Sequence, residues 1–304
     1  MNKPEAAPAA GPSAPAPYRD LYIYYVEGRV NPVPATIPGF IGNWQEGDTA
    51  FLFFTEPADA HVDRLLSSQP WLRLLDTVQM PYAQWQGSVP EPLRVGRFRF
   101  IPPWSGVPEG LAADPAEETH NILLDPGVVF GNGTHPTTLH CLEALEVAFA
   151  GGRIDTVLDL GTGTGVLALG AARLGARRVV AVDNNLLAVQ TARANIVRNG
   201  LTHRVVAVQG RAEDFIACSA DLLVANLHDD VLRHLLGAPG FLHHKKFVLS
   251  GLLRSPAREV RRRLGRLPVR IQREWSCDGV WHTYYGTISA RTGTTIMPVM
   301  DPKG

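Results

Sequence analysis

The residues best suited to chemistry lie between positions 156 and 226. Gly161, Gly163 and Gly165 alternate with threonines just after Asp159, and a second acid, Asp183, follows Gly161 by 22 residues. Glycine admits backbone conformations closed to other residues, so N–H groups in such a turn approach a ligand closely. An acid placed at the tip of the next strand accepts both hydroxyls of a ribose. The chemistry indicated is adenosine binding. The dinucleotide pattern G-x-G-x-x-G fits poorly, because the third glycine falls one position early and Val166 stands where that pattern requires glycine.

These residues need elements to hold them. The apolar run Val157-Leu158 leads into Asp159, and after the glycine turn Leu167, Ala171 and Leu174 mark a helix that Gly175 stops. A second apolar run, 179–182, ends in Asp183. A helix from Asn185 to about Arg198 follows, closed by Asn199-Gly200, then the strand RVVAVQ, the acid pair Glu213-Asp214 and the strand DLLVAN ending at Asn226. A helix over 229–236, the strand KKFVLSG, a helix over 256–265 and two strands near 269–275 and 280–289 complete the pattern. Alternating strands and helices predict an α/β fold, a doubly wound and mostly parallel sheet. Ligands bind such sheets at the carboxyl ends of the strands, where Asp159, Asp183, Glu213 and Asn226 are all expected.

Upstream, Gly131 and Gly133 flank Asn132, and Pro136 suits a first helical position. Thr137 and Thr138 then fall in the first turn of a helix carrying Leu139, Leu142 and Leu145. Such a terminus offers N–H and hydroxyl donors to an anion; a plain capped helix with a flexible entry loop is the alternative. Residues 18–104 read as a smaller α+β domain, with Leu21, Ile23 and Tyr25 on one face of a strand and a helix over 57–68. Three prolines in 31–40 exclude a regular helix there. The tryptophans between 85 and 104 read as core. Residues 1–17 are expected to be a disordered Ala/Pro tail, 105–120 a polar linker and 121–304 the cofactor-binding domain.

Composition narrows the class. Lys plus Arg and Asp plus Glu each total 29 of 304 residues, so overall charge points to neither nucleic acid nor membrane. Cys141, Cys218 and Cys277 form no C-x-x-C pair, which argues against a zinc site or a disulfide framework and for a reducing compartment. No apolar run reaches the ~18 residues of a membrane span. A cytoplasmic monomer is expected.

The stretch D-L-G-T-G-T-G resembles the first motif of class I methyltransferases, which bind S-adenosylmethionine. FGNGTHPTT, LDLGTGTGVLAL, AVDNN, VANL and VLSGLL together resemble the PrmA family, bacterial methyltransferases of large-subunit ribosomal protein eleven, over roughly 120–275. VGRFRFIPPW is similar to the end of that family's small N-terminal substrate-recognition domain. The resemblance implies S-adenosylmethionine as cofactor and transfer of methyl groups to a lysine side chain or N-terminal amine of a ribosomal protein. It places Phe130 and Thr138 in the segment covering the cofactor, Gly161 and Gly163 at its methionine part and Asp183 at its ribose. Asn226 falls beside the methyl group, orienting the amine, and no metal is implied.

The chain departs from the family at Asn132, at Leu227-His228-Asp229-Asp230, in the proline-rich 31–40 stretch, in the tail and after Trp275. His228 and Asp229 read as surface-helix residues rather than a general base. A base methyltransferase would carry Asn/Asp-Pro-Pro-aromatic at 226–229, to hold and stack a flipped base, and this chain does not. Another protein lysine as substrate, a nicotinamide oxidoreductase and a non-catalytic adenosine-cofactor-binding protein are the remaining alternatives. Residues 254–273 hold eight arginines, from Arg254 to Arg273, against the single acid Glu259. They form either a solvated face or a contact for ribosomal RNA. The polar linker is expected to let a C-terminal domain starting near Glu117 bind cofactor on its own.

Overall fold

The computed structural model of the chain describes residues 16–31, 37–87, 92–105 and 119–289. Nearly all of the expected tail and linker lies outside those residues. Strand β1 (Asp20–Glu27), the hairpin of β2 (Phe40–Glu46) and β3 (Thr49–Phe54), helix α1 (Asp59–Ser68), strand β4 (Arg73–Pro81) and the single turn α2 (Tyr82–Trp85) make the first unit. Its strands form an antiparallel sheet in the order β2-β3-β1-β4. Alternation along β1 sends Tyr24 and Val26 toward Val62 of α1, and Leu21 and Ile23 to the opposite face. That opposite face is buried too, against Val128, Val129, Leu187 and Ala188.

A second sheet joins β5 (Leu93–Val95), β6 (Phe98–Ile101) and β7 (His120–Leu123), with β6 antiparallel to β5 and parallel to β7. This small sheet packs across the expected division between residues 104 and 105. Phe98, Phe100 and Ile122 share one core with Leu142 and Leu145 of α3 (Pro136–Ala150). The strand RFRFI therefore belongs by packing with the residues after 120. Alternation shows that a short strand is half-buried, but not which later strand it will pair with.

The main sheet follows: β8 (Thr156–Leu160), α4 (Val166–Arg173), β9 (Arg178–Asp183), α5 (Leu186–Arg198), β10 (Val205–Gln209), α6 (Ala212–Phe215), β11 (Leu222–Asn226), α7 (Asp229–Gly237), β12 (Lys246–Leu253), α8 (Arg254–Leu264), β13 (Val269–Cys277) and β14 (Trp281–Ile288). The strand order is β10-β9-β8-β11-β12-β14-β13. The first five strands are parallel and β14 runs antiparallel between β12 and β13. A dinucleotide-binding sheet runs 3-2-1-4-5-6; this one differs by the inserted antiparallel strand. Both faces are covered, which is why β11 is a continuous apolar run. Leu222 and Val224 enter the core beneath α3 and α4, while Leu223 and Ala225 enter the core beneath α7 and α8.

The chain reverses its winding direction at β8. The carboxyl ends of β8, β9 and β11 therefore border one crevice, the place where open α/β sheets take ligands. Among the described residues no helix is long and apolar enough to cross a membrane.

Candidate active site

The turn after β8 is shaped by close approach. Gly161, Gly163 and Gly165 have φ of 76°, 54° and 85°, values that strain any residue with a Cβ. The N–H groups of Gly161 and Thr162 donate to the Val182 carbonyl at 2.8 and 3.0 Å, which fastens the turn to the tip of β9. A Cβ on Gly163 would stand 2.5 Å from the Phe130 carbonyl oxygen, and one on Gly161 would strike the Leu227 side chain. The Thr164 hydroxyl donates to the Gly131 carbonyl at 2.7 Å. The segment around residues 130–133 thus lies directly on the glycine turn.

Asp183 closes the crevice beside it. Its carboxylate accepts the Gly163 N–H and the Asn185 N–H, each at 3.0 Å. A carboxylate has about four acceptor positions, so this arrangement fixes its plane and leaves lone pairs on both oxygens. Burial pushes its pKa up while the two backbone donors pull it down, with a net upward shift.

Asp159 and Glu213 do not present their carboxylates at a strand tip. Asp159 lies within β8 and is fully buried beneath the turn, where it accepts the Thr162 hydroxyl at 2.6 Å; its other oxygen has no partner among the described residues. Burial pushes its pKa up to about 7. Strand β10 ends at Gln209, so Glu213 falls on α6, where it pairs with Arg211 at 3.3 Å. Both residues are acids near a strand end in sequence. Side-chain alternation in one case and an intervening loop in the other direct them elsewhere.

Asn226 at the end of β11 meets the start of α3. Its amide Nδ2 donates to the Thr137 hydroxyl at 3.2 Å. His135 caps α3, and its Nδ1 receives the Thr137 N–H at 3.3 Å and lies 2.7 Å from the Thr137 hydroxyl. A ring nitrogen that accepts a backbone N–H carries no proton, so the hydroxyl donates to it. Thr137 therefore holds the NH₂ end of Asn226 toward α3 and leaves its Oδ1 free to accept a hydrogen bond. Burial holds His135 below the usual histidine range, in keeping with the neutral ring. The next residue, Thr138, is 1% exposed, and its hydroxyl has no partner among the described residues. Phe130 is half exposed and packs edge-on against His135, which packs in turn against Trp281.

Two supports were missed in the sequence. The fully buried Asn195 of α5 accepts the Asp125 N–H at 3.0 Å and donates to the carbonyls of Asp125 and Thr164, at 2.8 and 3.0 Å. Asn199, one turn later, brackets Leu123 in the same way. Two asparagines four apart on a helix were the available signal. Asn132 also has a specific task here: its amide donates to the Gln86 carbonyl at 3.3 Å, joining the glycine segment to α2. His228 is exposed at the start of α7, and Asp229 pairs with Arg233 at 2.8 Å.

The family model described as ribosomal protein L11 methyltransferase (PrmA) matches residues 78–285. A ribosomal protein L11 methyltransferase of Edwardsiella ictaluri is 33% identical over 272 residues, covering 83% of this chain and 87% of that protein. One of Desulforamulus reducens is 39% identical over 199 residues, covering 64% of this chain and 61% of that protein, and a match from Dechloromonas aromatica spans 62% of its length. The chain thus spans about three fifths of these two relatives. A solved ribosomal protein L11 methylase of Lactobacillus delbrueckii subsp. bulgaricus shares the fold, with TM-score 0.54 at 24% identity over 64% of this chain and 96% of that one. With the glycine turn, Asp183, Asn226 and the 130–138 segment gathered at one crevice, this chain belongs to the ribosomal protein L11 methyltransferase (PrmA) family.

Proposed function

We propose that this protein transfers methyl groups from S-adenosylmethionine to amines of ribosomal protein L11, either a lysine side chain or the N-terminal amine. The observation that carries this reading is the fit of the crevice to the cofactor. Gly161, Gly163 and Gly165 take positive φ in the tight turn after β8, Asp183 keeps free lone pairs, and the Thr138 hydroxyl, in the first turn of α3, is buried without a partner among the described residues. Asp183 would hold the ribose hydroxyls, Gly161 and Gly163 the methionine part, and Thr138 the carboxylate, whose charge the terminus of α3 favours. Phe130 would cover the cofactor.

S-adenosylmethionine supplies an electrophilic methyl on a sulfonium, so the protein's task is chiefly proximity and line of approach. The amine must arrive neutral, because an ammonium has no lone pair. Asn226 Oδ1 accepts an N–H of that amine and turns its lone pair toward the methyl, and Thr137 keeps the amide from flipping. Partial desolvation in the crevice favours the neutral amine.

The two-domain division, with residues before about 104 recognising the protein substrate, is part of the same proposal. A contact with ribosomal RNA rests on Arg254, Arg258, Arg266 and Arg270, which are exposed. By contrast, Glu259 and Glu274 engage Arg261, Arg262 and Arg263. The test is thermal unfolding with saturating S-adenosylmethionine or NAD. A ligand at a hundred times its Kd stabilises by about 2.7 kcal/mol, and S-adenosylmethionine alone is expected to raise the midpoint. Stabilisation by NAD alone would transfer the site to dinucleotide chemistry.

A further inference from the structure

The first sheet and the 130–136 segment do not close fully on each other. Between them lies a groove of about 530 Å³ walled by Trp44, Phe51, Phe53, Trp85 and Phe130. Glu46 shares a face of β2 with Trp44, since side chains two apart on a strand point the same way. It is the one carboxylate among the described residues that line the groove. His135 lies at the end of the groove next to the cofactor crevice, one hydroxyl away from Asn226.

An aromatic cleft containing a single acid suits one kind of guest. Ring faces carry negative potential and attract cations, most strongly those with little water to lose. An anion would be repelled by Glu46 and by the ring faces alike, and a neutral guest would gain at most a hydrogen bond from the carboxylate, without the charge attraction that carboxylate and rings both offer a cation. We propose that this groove binds the alkylammonium of the protein substrate, a lysine or amino-terminal ammonium, and binds it more tightly as methyls accumulate. This rests on the methyl-transfer reading above and adds a separate subsite to it. Each methyl spreads the charge and weakens its hydration, so the ring contacts strengthen while Glu46 keeps its pairing. A charged amine cannot be methylated, so the groove is a holding place beside Asn226 rather than the reacting position. It retains a partly methylated amine between rounds.

Tryptophan fluorescence of the full chain, titrated with N-acetyl-Nε-trimethyl-lysine methylamide, tests the proposal. The control is the carbon isostere ending in a tert-butyl group. The cation is expected to bind about tenfold more tightly than the isostere, Glu46→Gln to weaken it about threefold and Trp44→Leu about tenfold. Affinity for S-adenosylmethionine, read by calorimetry on the same samples, is expected to stay within about twofold, because neither side chain touches the glycine turn. Glu46 is exposed beside a hairpin, so Glu46→Gln decides the matter even where Trp44→Leu fails to fold. Equal binding of cation and isostere, or cation binding untouched by Glu46→Gln, would overturn the groove. Absence of S-adenosylmethionine binding in the unmodified protein would instead overturn the methyl-transfer reading, whatever the cation result.

Discussion

Thr137 and Thr138 are neighbours with the same side chain, yet the structure gives them separable tasks. The Thr137 hydroxyl is committed to His135 and Asn226, whereas the Thr138 hydroxyl has no partner among the described residues. Thr137→Val keeps the shape but frees the Asn226 amide to flip. A lost hydrogen bond of about 1 kcal/mol corresponds to roughly fivefold, so kcat is expected to fall by that order with KM for S-adenosylmethionine little changed. Thr138→Val is expected to do the reverse and raise KM. Steady-state kinetics on both variants separates the roles, and identical effects would refute the division. Asp183→Ala removes charge-assisted bonds worth about 1.5–3 kcal/mol, so calorimetry should show affinity lost by ten- to a hundredfold in a folded protein.

Asp159 gives a pH signature at the same scale. Its folded pKa, about 7, lies above its ordinary value of 3.8, so the folded protein holds a proton that the unfolded chain releases. The associated stability is full below about pH 4 and is lost as pH rises through about 7. Between pH 5 and 8 the unmodified protein is expected to lose about 3 kcal/mol of urea stability relative to Asp159→Asn. Parallel pH profiles for the two proteins would contradict the buried, protonated acid.

Among the elements, α5 does more than cover the sheet. Its buried Asn195 holds both the chain entering the glycine segment and the glycine turn itself, through Asp125 and Thr164. Asn195→Ala leaves those groups short of partners at a cost of about 1–3 kcal/mol, and urea unfolding is expected to show that loss. The strands and helices from Thr156 onward were legible because their periodicity is strong and glycines punctuate them. The places of Asp183 and Asn226 at strand ends were legible because each closes an apolar run. Two features were not. Phe98 and Phe100 read as a strand, but pairing with β7 and burial under α3 depend on residues far along the chain. The partner of the Asn226 amide, Thr137, is 89 positions away, a separation that no local pattern reveals.

At the scale of the molecule, the first sheet packs closely on the unit that carries the glycine turn. Leu21, Ile23 and Phe53 pack on Val128, Val129, Leu187 and Ala188, and removing the chain before Glu117 would expose those surfaces and delete Phe98 and Phe100. Such a truncated chain is expected to aggregate rather than bind cofactor as a free domain. The intact chain should unfold in one transition, seen alike through Trp44 and Trp85 on one side and Trp275 and Trp281 on the other. Single-tryptophan variants with separated midpoints would contradict that coupling.

The central claim, methyl transfer to an amine held at Asn226, is tested most directly by intact-mass spectrometry. Purified ribosomal protein L11 is incubated with S-adenosylmethionine and either the unmodified protein or its Asn226→Ala variant. The expected result is mass added in whole methyl steps and mapped to amines, with the variant slowed at least tenfold while its cofactor affinity falls far less. An unchanged L11 mass in the presence of a protein that demonstrably binds S-adenosylmethionine would contradict the account.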